Sequence, residues 1–355
     1  MSRYDIAIVG AGMAGAGLAA ALAGEARVLL LEAEERPGYH STGRSAAFWS
    51  ETYGGPLIQP LTSSSRDALA PFLSPRGCIH LADADGESAL DALADEFAGT
   101  DVPLAPLARA DLEARLPGLR AGWNRGLSEP SCADIDVAAL HAACLREATA
   151  DLAVNVRLLG AERAGGFWRI ATTGGAFEAE ILVNAAGAWA DLVALAAGER
   201  PVGIQPYRRT IAQLRIAPAA PADLPLVVDA LSRFYFKPET GGRLWLSPHD
   251  ETPSEPCDCA PEELDVAVAI DRLERAVDWR IEAVEHKWAG LRSFAPDRLP
   301  VYGFSPSGRG FFWCAGQGGF GIQTAPAASA IAAGLLLGEQ AGQVDPGPYS
   351  AGRFA

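Results

Sequence analysis

The sequence predicts an α/β protein, a Rossmann-type domain carrying an inserted antiparallel-sheet α+β domain. Three observations carry that expectation. A glycine-rich turn, Gly10-Ala-Gly12-Met-Ala-Gly15, stands between a continuous apolar run and an alanine-rich run. A second apolar run, 27–31, follows closely, so the three pieces have the size of one βαβ unit, about 30 residues. The stretch 201–260 holds short runs and many prolines, including Pro218, Pro221 and Pro225, which reads as antiparallel strands.

The elements follow in order. Residues 4–9 form a buried strand, since Ile6 to Val9 are apolar without alternation. Residues 12–22 form an alanine-rich helix, and 27–31 a second buried strand. A Gly/Ser/Thr loop spans 37–45. A helix at 137–149 precedes strands at 152–158 and 168–172, with a Gly165-Gly166 turn between them. The strand 180–184 ends in Ala185-Ala186-Gly187, a helix occupies 261–278, and a strand 311–315 leads into the glycine-rich turn 316–321 and a helix reaching about 337. No internal repeat or low-complexity linker interrupts the chain. A chain of 355 residues exceeds one simple core. The expected division is 1–75, 135–205 and 286–355 for the nucleotide domain, and 76–134 with 206–285 for the substrate domain.

Bulk properties exclude several roles. With 29 basic against 44 acidic residues, a net charge of −15 leaves no basic face for nucleic acid and opposes docking on anionic lipid. Six cysteines without a Cys-x-x-Cys read as reduced thiols, and the lone Cys257-x-Cys259 has no identifiable co-ligands, so no metal site is expected. The nearly uncharged stretch 6–24 carries glycines at 10, 12, 15 and 17, which suit a nucleotide turn better than a membrane span; 326–338 is too short to cross a bilayer. The expectation is a cytoplasmic protein without an integral membrane segment, peripheral attachment to the inner membrane being the other placement.

The glycine turn has a physical logic. Gly10 permits the tight turn, Gly12 lets backbone approach a pyrophosphate, and Gly15 lets helix pack on strand. The phosphate then meets free N–H groups at the helix start, near Ala14. Glu32, ending the second strand beside Ala33, can accept two hydrogen bonds from a ribose diol. Three downstream features favour FAD over a smaller nucleotide. One is the polar loop Ser41, Thr42, Gly43, Arg44, Ser45, Ala46, Ala47, continuing to Phe48. Another is the strand-end turn with Ala186, Gly187 and Trp189. The last is Gly318, Gly319, Phe320, Gly321, Ile322 and Gln323, a turn read as opening a helix whose N-terminus favours negative charge. Leu158 completes the candidate cofactor contacts.

These residues resemble the D-amino-acid oxidase superfamily of FAD enzymes, with bacterial D-arginine and related D-amino-acid dehydrogenases most alike. The similarity rests on Gly38-Tyr-His-Ser-Thr-Gly-Arg-Ser-Ala-Ala47, on 133–141, 182–191, 205–209, 234–238 and 287–294, and on 310–324, in order along nearly the whole chain. The resemblance implies a glutathione-reductase-like FAD domain. It also implies oxidative deamination of an amino acid to a 2-oxo acid and ammonia by hydride transfer to flavin N5. It implies that Arg292 grips the substrate carboxylate, as a guanidinium fork suits. It implies a second active-site arginine at Arg208 or Arg209, entered here as Arg209, and substrate-facing tyrosines at Tyr53 and Tyr235.

The departures shape the substrate. Phe48 stands where the D-arginine enzymes carry a histidine, and no acid lies in Arg76-Gly77-Cys78, where they hold the guanidinium. The expected substrate is therefore a neutral or hydrophobic D-amino acid, or a cyclic imino acid, rather than D-arginine. Trp245 stands near the position of the lysine that oxygen-reactive members carry, which favours a quinone or other electron acceptor over O2. His40 reads as a loop residue near the flavin, His80, His141 and His286 as structural, and His249 as able to reach the site mouth. The competing readings are a 2-hydroxy acid dehydrogenase, a sarcosine- or glycine-type amine oxidase, and a regulatory nucleotide-binding module.

Overall fold

The computed structural model describes residues 2–339 and 342–354. Two sheets organise them. In the first, five parallel strands lie side by side: Asp151–Ala153, Val28–Leu31, Arg3–Val9, Gly175–Asn184 and Phe311–Ala315. Antiparallel strands Leu158–Ala164, Phe167–Thr172 and Val301–Phe304 extend it. Helices Met13–Ala21 and Ala325–Leu337 cover one face. Both are apolar almost all round because both are buried, which is why neither shows an amphipathic stripe. They approach closely at Gly17, where a Cβ would stand 2.6 Å from Ser329 Oγ.

The second sheet has ten strands. Its spine is the antiparallel pair Gln205–Ala217 and Arg280–Phe294, paired from Gln205 opposite Phe294 to Ala217 opposite Arg280 with register shifts after Gln213 and Arg215. Arg243–Ser247, Tyr235–Glu239, Leu226–Asp229, Cys78–Ala82, Arg125–Glu129 and Ala105–Ala108 continue it outward. Helix Glu263–Ala276 covers one face, with Val266, Ala269 and Leu273 packed on Leu214, Leu244 and Leu246. A small third sheet joins Phe48–Trp49 and Leu73–Pro75 to Ala133–Ile135. Among the described residues no helix is long and apolar enough to cross a membrane.

Three expectations need correction. The boundary drawn at 286 falls inside the unbroken strand Arg280–Phe294, which belongs wholly to the second sheet. The strand expected at 152–158 is two strands, separated at Asn155 with φ +57. There Asn155 N–H and Val156 N–H bond Glu34 and Glu32 carbonyls instead of continuing a ladder. The helix expected directly after the glycine-rich turn begins only at Ala325, because Gly318 pairs with Ser293 and the chain turns through 319–324 first.

Candidate FAD and substrate site

The ends of the parallel strands open on a cavity of about 390 Å³ that reaches the second sheet. At one end Gly10, with φ +103, passes so close to the neighbouring strand that a Cβ would lie 2.4 Å from Ala185 O. A Cβ on Gly15 would lie 1.9 Å from Gly10 O, so Gly15 packs helix on turn and does not itself line the cavity. Gly12 and Ala14 do line it. Glu32 is buried, with Ala11 N–H donating to one carboxylate oxygen at 3.0 Å and Glu34 N–H to the other at 2.9 Å. Each oxygen keeps a lone pair for a ligand hydroxyl, beside Ala33 on the cavity wall.

Most of the polar loop also reaches the cavity: Ser41, Thr42, Arg44, Ser45 and Ala46 line it. Thr42 Oγ1 accepts from Met13 N–H at 3.0 Å, tying this loop to the first turn of the nucleotide helix. Gly43 and Ala47 lie behind the wall. Gly43 N–H bonds Gly38 O, and Ala47 N–H bonds Ser45 Oγ. Leu158, Ala186, Gly187 and Trp189 line the middle, with Gly318, Gly319, Gly321 and Ile322 opposite. The sequence reading missed Val156, Arg157, Leu192 and Gly290 on this wall. No motif marks Val156, Arg157 or Leu192, which the strand break at Asn155 and helix Ala190–Ala196 bring there; Gly290 stands two residues before Arg292 in the matching stretch 287–294.

At the far end the cavity meets two arginines. Gln205–Ala217 alternates, so Arg208 and Arg209 face opposite ways. Arg208 turns out to Glu262 and Asp265, while Arg209 faces the cavity. Arg209 Nε donates to Asp250 O at 2.7 Å, and its Nη1 is buried without a partner. Burial and the neighbouring Arg292 both lower its pKa. Arg292 Nη1 donates to Tyr53 Oη at 2.5 Å and makes no ion pair among the described residues. Burial opposes its charge, but Tyr53, Tyr235, Glu251 and Asp250 outweigh that and hold it above its usual range. Gly319 is required here, since a Cβ would come within 2.2 Å of Tyr53 Oη.

Behind this end, off the cavity lining, stands an aromatic cluster that includes Phe48, Tyr53 and Tyr235. Phe48 packs on Tyr53 at 5.4 Å and on Tyr235 at 6.1 Å between ring centroids. Tyr235 Oη is buried without a partner. His249 sets its ring edge-on to Tyr235, and its Nδ1 is likewise buried and unpartnered. Burial, then the charges of Arg209, Arg292 and Arg272, push His249 down to about 2. It is a neutral imidazole across the working pH range. The residue is held at φ +55, a conformation uncommon outside glycine and asparagine.

Two expected cofactor residues do other work. Gln323 lies behind the cavity: its Nε2 donates to the carbonyls of Ser50 and Tyr53 and to Thr62 Oγ1, and its Oε1 accepts from Ser50 N–H. It clamps the loop that carries Tyr53. Phe320 packs edge-on against Tyr53 and Phe294 instead of lining the cavity. Trp245 donates to Gln213 Oε1, and the buried Lys237 lies 5.1 Å over its ring while pairing with Asp134 at 2.7 Å. His141 bonds Ala11 O at 2.9 Å, and His40 packs on Trp189 beside the cavity.

The elongated cavity, the glycines that admit close backbone approach and an oriented Glu32 fit an extended dinucleotide. Residues 5–335 match the family described as FAD dependent oxidoreductase, DAO. The chain belongs to this family. Glycine oxidase of Geobacillus kaustophilus is 28% identical over 373 residues, covering 94% of this chain and 93% of its own. A crystal structure of glycine oxidase from that organism superposes with TM-score 0.86 at 25% identity, covering 99% and 98% of the two chains. Glycine oxidase of Pseudomonas aeruginosa is 29% identical over 264 residues, 71% of this chain and 69% of its own. L-proline dehydrogenase from P. horikoshii shares the fold, with TM-score 0.83 at 19% identity, 96% and 95% covered. As a DAO-family member the chain is an FAD-dependent oxidoreductase.

Proposed function

We propose that this flavoprotein oxidatively deaminates a neutral or apolar amino acid, of D configuration where the α-carbon is chiral, to a 2-oxo acid and ammonia. The observation that carries the reading is Arg292, a guanidinium at the cavity end that has a phenol but, among the described residues, no carboxylate partner. A charge held this way is costly unless an anion completes it. The substrate carboxylate is that anion. Arg209 Nη1 and the Tyr53 hydroxyl proton, free because Tyr53 Oη accepts from Arg292, are the remaining donors toward it.

Phe48 and Tyr235 offer the side chain an apolar wall, which disfavours a second charge. His249 Nδ1 and Tyr235 Oη stand as hydrogen-bonding groups for the substrate nitrogen. Two guanidiniums nearby disfavour an ammonium, so the amine enters or becomes neutral by losing a proton to water. Bound FAD supplies the two-electron acceptor for the Cα hydride. The imino acid released hydrolyses in water. These residues hold and orient the substrate, and no strong base is needed.

The glutathione-reductase-like Rossmann domain takes the FAD, and the proposed electron acceptor is a quinone or another small oxidant rather than O2. Oxidation of a 2-hydroxy acid fits less well. It needs a base for an alcohol proton, and a histidine pushed to about 2 cannot keep one. The test is anaerobic bleaching of the yellow protein by a panel of D- and L-amino acids, glycine, sarcosine, proline and 2-hydroxy acids. Bleaching by neutral D-amino acids is expected. Bleaching by hydroxy acids alone, or by none of the panel, contradicts the reading.

A further inference from the structure

Glu129 ends the strand Arg125–Glu129 of the second sheet, but its carboxylate serves a different part of the chain. It is fully buried, and three consecutive residues donate to it. Glu51 N–H bonds Oε1 at 2.7 Å, while Thr52 Oγ1 at 2.7 Å and Ser50 Oγ at 2.9 Å bond Oε2. From strand Cys78–Ala82, His80 Nε2 lies 3.2 Å from Thr52 Oγ1 and 3.4 Å from Glu129 Oε2. Burial opposes the carboxylate charge, but His80, Thr52 and Ser50 outweigh it and hold Glu129 below its usual range. Its bonds are therefore charge-assisted, roughly twice as strong as neutral ones.

The segment it holds has no sheet ladder of its own. After strand Phe48–Trp49 the chain bends through 51 and 52 and turns at 53 and 54. Buried backbone of this kind needs side-chain partners. Two buried side chains supply them. Gln323, in the glycine-rich turn, bonds Ser50 N–H and the carbonyls of Ser50 and Tyr53. Glu129 bonds Glu51 N–H and the hydroxyls of the residues on either side of it. The next residue is Tyr53, whose Oη accepts from Arg292 Nη1 at 2.5 Å. A run of buried hydrogen bonds thus leads from the second sheet to the guanidinium.

We propose that Glu129 is a positioning residue for the carboxylate grip. It does not line the cavity; it fixes the segment 50–53 so that the Tyr53 hydroxyl stands on Arg292. The proposal rests on the reading of Arg292 as the carboxylate anchor. Glu129→Gln is the sharpest change for testing it. The amide keeps an oxygen for Glu51 N–H, and the Ser50 and Thr52 hydroxyls can rotate to accept from its NH2. Volume and hydrogen-bond count are kept, while the charge that tightens these bonds is lost. The Tyr53 hydroxyl is then held less firmly. The loss falls on carboxylate binding, in KM more than in kcat, with flavin retained.

The test is a double-mutant cycle on the holoenzyme, with Glu129→Gln and Tyr53→Phe made alone and combined. One readout is the second-order rate of anaerobic flavin reduction by the best amino acid of the panel. The other is the Kd of acetate, read from the change in flavin absorbance. Glu129→Gln alone should lower the rate and weaken acetate by about three- to fivefold, the ceiling being the loss from Tyr53→Phe itself. In the Tyr53→Phe background it should have no further effect, because its route to the grip is already cut. The same factor in both backgrounds, or no factor in either, overturns the proposal. Arg292→Ala in the same acetate titration keeps the two claims apart. Acetate bound as tightly without Arg292 contradicts the anchor; acetate lost there but unmoved by Glu129→Gln contradicts only the positioning. Should Glu129→Gln not hold flavin, Thr52→Val, which removes the hydroxyl shared by Glu129 and His80, takes its place in the cycle.

Discussion

The two ends of the cavity are built differently. The nucleotide end is backbone: Gly10, Gly12, Gly15 and the first helical N–H groups lie within one strand–turn–helix. The substrate end is side chain: Phe48, Tyr53, Arg209, Tyr235, His249 and Arg292 come from five separate stretches, most of them brought together by the long antiparallel sheet. A site made of local backbone tolerates changes in chemistry but not in volume. A site made of distant side chains should show the reverse.

That contrast can be broken in several places. The largest effect is expected for Gly10→Val. Its Cβ has Ala185 O at 2.4 Å and its φ is +103, so the turn cannot form as it stands. The protein should purify without flavin, which absorbance at 450 nm, roughly the isoalloxazine band, will show. Normal flavin content would mean that the turn does not set cofactor binding.

Gln323→Leu should cost about 1–3 kcal/mol, because the Ser50 N–H and carbonyls it serves are buried. Flavin content should hold while turnover falls, since the damage is to the loop carrying Tyr53. Loss of flavin with turnover per bound flavin unchanged would return Gln323 to the cofactor.

His249 makes a pH prediction. Its folded pKa, about 2, lies below the ordinary 6.5, so the unfolded chain binds the extra proton between those values. Stability from this group is complete above about pH 6.5 and is lost as pH falls toward 2. Denaturant unfolding should weaken from pH 7 to pH 5 by at most about 2 kcal/mol from this residue, at 1.36 kcal/mol per unit. His249→Asn, which suits φ +55, should flatten that slope. An unchanged slope would show that the imidazole is not held neutral.

Tyr53→Phe should be the mildest, about 1 kcal/mol, or roughly fivefold in kcat/KM. It removes one neutral partner of Arg292 and keeps the ring between Phe48 and Phe320. A thousandfold loss would assign the hydroxyl a role in the chemistry itself.

The same contrast explains what could be read in advance. Gly10, Glu32 and the first two parallel strands, Arg3–Val9 and Val28–Leu31, are marked by contiguous patterns, and the structure holds them within a residue of expectation. The choice between Arg208 and Arg209 depends on strand register, which neighbouring arginines do not reveal. Gln323 sits inside a glycine-rich run that lines the cavity, yet its own side chain points behind the wall. Glu129, about fifty residues beyond Cys78, is set opposite it only by antiparallel pairing, and its carboxylate serves Ser50, Glu51 and Thr52. His249 carries no motif at all. Its importance comes from three arginines that converge on it from other strands and helices.

The central claim is that Arg292 anchors the substrate carboxylate beside the FAD. Arg292→Ala holoenzyme, mixed anaerobically with the best amino acid from the panel, tests it most directly. The account predicts wild-type flavin content and a fall in the second-order rate of flavin reduction of about 10²-fold or more, equivalent to about 3 kcal/mol for an unpaired charge contact. Flavin reduction at the wild-type rate would contradict it.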